Sequence, residues 1–233
     1  MLSILVLGFL IGIRHAFEPD HVAAVASLAT RTSTLKQAIR HGAAWGLGHT
    51  LTLFAVCTVV LLLDTTISDT VAGYLEAVVG VMLVILGTDV ICRLVRERIH
   101  FHAHRHGDGV THFHAHSHAG GTPKAHDARH HHHKHPAGFP FRALAVGLMH
   151  GMAGSAALIV LAAQAVSSIW LGLAYIALFG VGSILGMALF SAIISLPLRS
   201  AKAMTWVHNS LHAAVGLGTV ILGATTVYQH LAA

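Results

Sequence analysis

The eight residues Arg14-His15-Ala16-Phe17-Glu18-Pro19-Asp20-His21 gather two imidazoles, two carboxylates and a guanidinium into one short stretch. Two imidazoles with a carboxylate make a ligand set suited to Ni²⁺, Co²⁺ or Zn²⁺, whereas Mg²⁺ and Ca²⁺ want oxygen throughout. Spacing sets a condition on that chemistry. On a straight helix Asp20 lies about 140° and His21 about 240° from His15, so the three would face different sides. Pro19 supplies the remedy, because it lacks an N–H and clashes with the carbonyl of His15, which kinks or unwinds the chain there. Arg14 and Glu18 are four apart and spaced to pair. A broken helix brings His15, Asp20 and His21 to one centre. The structural alternative is a polar knot that locks helices together.

The surroundings of this stretch are apolar. Of 233 residues, 55% are hydrophobic and 10% charged, against about 25% charged in a soluble domain. Mean hydropathy is +0.70. Too little charge remains to cover a water-soluble globule, and two cysteines without CxxC spacing exclude a disulfide framework or a cysteine-based zinc site. A helix crosses the hydrocarbon core with roughly 20 apolar residues, and six segments meet that length, near 2–29, 41–63, 71–95, 141–166, 169–198 and 207–229. The first has no basic n-region or cleavage site and reads as a mature span. The chain is therefore expected to be an all-α integral membrane protein of six transmembrane helices. Arg14, Glu18 and Asp20 then sit in mid-span at a cost on the order of 9 kcal/mol, which the apolar residues of that span offset by only about 4–8 kcal/mol. The polar cluster must face partners, water or an ion.

Of the 14 Lys and Arg residues, 13 fall in the first, third and fifth loops or at their edges, and the remaining one, Arg14, lies within a span. The positive-inside rule puts those loops in the cytoplasm of a cell (plasma, bacterial inner) membrane and both termini outside. No nucleic acid is needed to explain the basic balance. The halves also repeat: Leu75 to Gly87 matches Leu211 to Gly223 at eight of thirteen positions, Gly12-x-x-His15 matches Gly147-x-x-His150, and Gly46 to His49 aligns with Gly180 to Ser183. Three spans per copy is odd, so the copies must lie inverted, a plan used by secondary transporters with midplane sites on interrupted helices. The chain divides into a first three-helix repeat (1–95), a histidine-rich cytoplasmic loop (96–140) and a second three-helix repeat (141–233).

Residues 100–135 hold 14 of the 22 histidines. His102, His104, His106, His112, His114, His116, His118 and the run His130, His131, His132, His133 offer interchangeable ligand pairs for borderline divalent ions. With few core-forming residues this stretch is expected to be disordered without metal, and the bland alternatives are a solvated linker or an expression tag. Inside the membrane, His49 lies between Gly48 and Thr50, where another helix can approach closely, and is expected to contact metal. His150 is the counterpart of His15 and lies either on the transport path or in a structural role. Glu18, Glu76 and its counterpart His212 are further path candidates, while Asp89 is expected as a solvated carboxylate near the cytoplasmic interface.

On these residues the sequence resembles a known family. His15-Ala16-x-x-x-Asp20-His21 and Gly46-Leu47-Gly48-His49-Thr50 are similar to the paired motifs of the NiCoT/NicO nickel and cobalt permeases, with Glu18-Pro19 where Asp-Ala is commoner. The second half lacks the acidic motif of the longer eight-span members, which matches the short six-span branch often associated with urease maturation. The resemblance implicates His15, Asp20, His21 and His49 in metal recognition.

The expected function is a secondary permease for Ni²⁺, with Co²⁺ as second ion, working in uptake without a catalytic cofactor. No GxxxxGK[ST] phosphate loop is present. Efflux is the rival within the class. An intramembrane metalloenzyme would want H-E-x-x-H, which is missing, and a bis-histidine haem protein using His49, His150 or His212 would show a Soret band. Neither explains the repeat.

Overall fold

The structure is a computed structural model and describes residues 2–63, 68–97, 100–105, 111–116, 138–153, 168–200 and 205–231. Helix α1 (Leu2–His15) and helix α2 (Pro19–Ala29) are separated by three residues and bent by 57°, so the expected break at Pro19 is present, with the geometry of a broken span or a re-entrant loop. Next come α3 (Leu35–Leu63), α4 (Asp69–Glu97), the short α5 (Phe141–His150), α6 (Ile169–Ser200) and α7 (Thr205–Leu231). Helices α3, α4, α6 and α7 are each long and apolar enough to cross a membrane, which makes four candidate spans among the described residues, or five where the α1–α2 pair is counted as one. The expected sixth begins as α5 and a turn to Ala153, and the rest of 141–166 lies outside the described residues.

Lipid-facing and buried stripes alternate on these helices. On α6, Leu185, Leu189 and Ile193 are exposed at four-residue spacing, while Phe179, Ser183 and Met187 are buried at the same spacing. A soluble helix would expose polar residues on its outer stripe; this one exposes leucine, which suits hydrocarbon. Helix α1 packs along α6, α5 along α3, α3 along α6, and α4 along α7. The first two of these crossings are the closest. A methyl group on Gly12 would overlap the carbonyl oxygen of Phe179, and one on Gly147 would overlap that of Trp45. These contacts press the ends of α1 and α5 into the centre of the bundle, which is where His15 and His150 stand.

At the end of α4 the structure departs from expectation. Asp89 is not simply solvated: it pairs with Arg31 at a very short contact, with Arg93 at 3.3 Å and with Arg142 at 3.6 Å. Its one carboxylate ties the α2–α3 connection, α4 and α5 together. In the histidine-rich stretch, the backbone of His100–Arg105 (β1) pairs with Thr111–His116 (β2) as an antiparallel ladder, where a chain without regular structure was expected. The H-x-H series alternates with period two, which is a strand pattern. The register sets His102 opposite His114 and His104 opposite His112. His106, His118 and His130 to His133 lie outside the described residues.

Candidate metal centre

His15 is the last residue of α1, and the turn after it is closed by backbone bonds from Phe17 to Arg14 and from Glu18 to His15. Glu18 is extended (φ −64°, ψ 147°) and hands the chain to Pro19, the first residue of α2. Proline costs nothing there, because a first-turn N–H has no intrahelical partner and the fixed φ suits a helix start. Asp20 falls in that first turn, where the helix dipole favours a carboxylate, and His21 follows one residue on. The break is therefore what brings His15, Asp20 and His21 to one point.

Four histidines meet at that point. His21, His49 and His150 are each 1% exposed or less, and His15 is 7% exposed. The ring of His21 lies midway between two others, with centroids 4.3 Å from His15 and 4.3 Å from His150. His49, from the middle of α3, puts its Nε2 3.2 Å from the Nε2 of His15. Trp45, one turn before His49, covers the rings of His21 and His150 at 5.3 and 5.6 Å. Phe179 covers His15 at 5.2 Å.

Carboxylates stand behind these rings. Since a carboxylate only accepts, the hydrogen bonds assign the tautomers. His15 donates from Nδ1 to Glu18 Oε1 at 3.0 Å, and His21 donates from Nδ1 to Asp20 Oδ1 at 3.0 Å. Each neutral ring then keeps a lone pair on Nε2, and an imidazole with a carboxylate behind its far nitrogen is a strengthened metal ligand. His150 donates from Nε2 to the second oxygen of Asp20 at 2.8 Å. Among the described residues His21 Nε2, His49 Nδ1 and His150 Nδ1 are buried without a hydrogen-bond partner, as is the Nε1–H of Trp45 beside them. Left so permanently, each would cost about 1–3 kcal/mol. A purely structural polar knot would satisfy them. A divalent ion would accept the lone pairs of the imidazoles.

Two groups of donors are close enough to hold one ion each, their ligand atoms lying within 4.8 Å of one another: His15 with His21 and His49, and Asp20 with His21 and His150. The expected set of His15, Asp20, His21 and His49 is thus divided, with Asp20 on the far side of His21. His150 joins the cluster through α5. Glu18 stands at the rim, with its side chain 53% exposed. It pairs with His15 and not with Arg14, because the helix ends before the four-residue spacing can act. Glu76 is half-buried on α4 and His212 bonds from Nδ1 to the His208 carbonyl at 2.9 Å; neither belongs to the two donor groups. Reading the sequence missed the link from Asp20 to His150, although the shared Gly-x-x-His spacing of α1 and α5 was a signal for it.

Comparison with known proteins adds the following. The family described as high-affinity nickel-transport protein, NicO, matches residues 1–228. The urease accessory protein UreH of Bacillus sp. (strain TB-90) is 34% identical over 234 residues, covering 98% of this chain and 92% of its own. The chloroplast protein FOR GROWTH AND FERTILITY 1 of Arabidopsis thaliana is 30% identical over 225 residues, which are 92% of this chain and 58% of that one. No solved structure gives a significant match.

Proposed function

The chain belongs to the NicO family of nickel-transport proteins, and we propose that it is a secondary permease taking up Ni²⁺, with Co²⁺ as its second ion. It is a multi-pass membrane transporter for nickel and not an enzyme. Three imidazoles from α1, α2 and α3 converge at a broken helix with carboxylates behind two of them, and this observation carries the reading. Nitrogen donors match nickel and cobalt and discriminate against Mg²⁺ and Ca²⁺. His15, His21 and His49 bind the ion, while Glu18 and Asp20 fix the rings of His15 and His21.

We place both termini outside and the histidine-rich loop in the cytoplasm, from the one-sided distribution of Lys and Arg. Two inverted three-helix repeats rock about the site. Contacts between the matched segments support this, because they cross over as a two-fold axis requires. Gly80 meets Gly223 and Gly87 meets Gly216, although by sequence Gly80 corresponds to Gly216 and Gly87 to Gly223. An inside-negative potential favours a divalent cation by about 4.6 kcal/mol per 100 mV, at roughly 2.3 per charge. That drives uptake.

Proteoliposomes holding the purified protein test the direction and the driving force. Under an inside-negative potassium diffusion potential, ⁶³Ni²⁺ should accumulate, and excess Co²⁺ but not Mg²⁺ should compete. In whole cells, expression should raise ⁶³Ni content. A fall in cell content would assign the chain to efflux.

A further inference from the structure

The geometry points to a second Ni²⁺ position, formed by Asp20, His21 and His150, which receives the ion from the position formed by His15, His21 and His49. This inference rests on the reading of the chain as a nickel permease and deepens it. The two donor groups share one residue, His21, whose ring is equally far from His15 and His150. The first group has three neutral nitrogens; the second exchanges one of them for a carboxylate. A divalent ion moving between them keeps His21 throughout and exchanges the other two ligands, so it is never stripped of all protein ligands in a low-dielectric interior.

The placement of the donors gives the transfer a direction. Helix α1 leads from the outer end of the proposed topology to His15, and α5 leads from the cytoplasmic end to His150. Each histidine is the last residue of its helix, three residues after a glycine pressed against the backbone of the opposite half. An inverted repeat reaches its two states by exchanging the conformations of its halves, so equivalent donors on the two halves are suited to serve in turn. His150 has the chemistry for the second turn. Its Nδ1 is buried without a partner, and its Nε2 holds Asp20, which can rotate from bracing His21 to binding the ion.

Full-length protein supplies the test, with two readouts. Detergent-solubilised protein is loaded with ⁶³Ni²⁺ and washed with EDTA, which strips exposed histidines and leaves a buried ion in place; flux is measured separately in proteoliposomes. His49→Ala should lose both retained ion and flux. His150→Ala should retain the ion and lose flux by at least about tenfold, the scale on which metal sites respond to loss of a supporting group. Two further variants guard against misfolding: His150→Gln keeps a donor for Asp20 but is a poor nickel ligand, while His150→Cys offers a thiolate. Partial flux in His150→Cys with none in His150→Gln supports a ligand. Normal flux in His150→Gln would reduce His150 to a brace for Asp20 and overturn the second position. Loss of retained ion in His150→Ala as complete as in His49→Ala would overturn it too, by showing a single site. Should His49→Ala keep both ion and flux, the permease site itself is misplaced.

Discussion

His15 and His49 face one another nitrogen to nitrogen, 3.2 Å apart, across 34 residues of chain. Two ligands held about 2.0–2.1 Å from one ion stand about 2.9 Å apart at a right angle and about 3.4 Å apart at the tetrahedral angle. With the His49 proton on Nδ1, both Nε2 lone pairs face one ion at that spacing, and α1 and α3 each pack along α6. Removing any of His15, His21 or His49 as alanine should therefore lower ⁶³Ni uptake by at least tenfold, on the order of a lost ligand or its support. Asp20→Asn should do the same, because an amide has one acceptor oxygen for the two N–H groups of His21 and His150 and no negative charge to strengthen the His21 ring. Membrane abundance, read by immunoblot, should stay near wild type. Normal transport in all four at normal abundance would remove the site from this cluster.

Glu18 accepts from His15 Nδ1 and so fixes the lone pair on the Nε2 that points at His49. Its side chain is half exposed at the rim of the cluster. Glu18→Gln still reaches the ring but gives up the negative charge that strengthens it as a ligand. The expected result is a rise of about 10–100-fold in the Ni²⁺ concentration for half-maximal uptake, with a smaller change in the maximal rate. An unchanged half-saturation concentration would leave Glu18 without a part in binding.

Two glycines separate a packing defect from a ligand defect. Gly12 and Gly147 lie where a methyl group would run into the backbone of Phe179 and of Trp45. Gly12→Val or Gly147→Val must push α1 off α6 or α5 off α3, a strain of about 1–3 kcal/mol. Both should lower the melting temperature and the yield of monodisperse protein in size-exclusion chromatography. The histidine variants should not. Equal thermal stability of Gly147→Val and wild type would mean that the close crossing is not maintained in the membrane.

Much of this was legible in the residues because intramembrane charge is expensive and proline is specific. The cost of Arg14, Glu18 and Asp20 in one apolar span demanded a site, and Pro19 located the break between α1 and α2. Periodicity and length found α3, α4, α6 and α7 to within a few residues at most ends. What could not be read was the partnering across long sequence separations. Asp20 meets His150 over 130 residues and Asp89 gathers Arg31 and Arg142 from other elements, contacts that depend on how helices cross and not on local pattern. The split of the donors into two groups had the same cause. Spacing along α2 brings Asp20 and His21 out of one turn, but only the arrival of α5 shows which side of His21 the carboxylate serves.

The histidine-rich stretch makes the last prediction, because its chemistry overlaps that of the membrane site while its position does not. Fourteen histidines lie between residues 100 and 135, and neutral rings of this kind are expected to bind divalent nickel. Their reference pKa is about 6.5, so most are neutral ligands at pH 7.5; below that value protons compete and metal is released. The stretch offers many equivalent ligand pairs, and these cannot impose one geometry on an ion. The stretch is expected to buffer nickel after it crosses and not to choose it. Deleting residues 100–135 should lower the number of nickel ions bound per protein at pH 7.5 and remove most of the bound metal that is lost between pH 7.5 and 5.5. Uptake and preference for Ni²⁺ over Mg²⁺ should be kept, since His15, His21 and His49 are untouched. Equilibrium dialysis at the two pH values, beside ⁶³Ni flux with Mg²⁺ competition, measures all of these, and a deletion that lets Mg²⁺ compete would move selectivity from the broken helix to the loop.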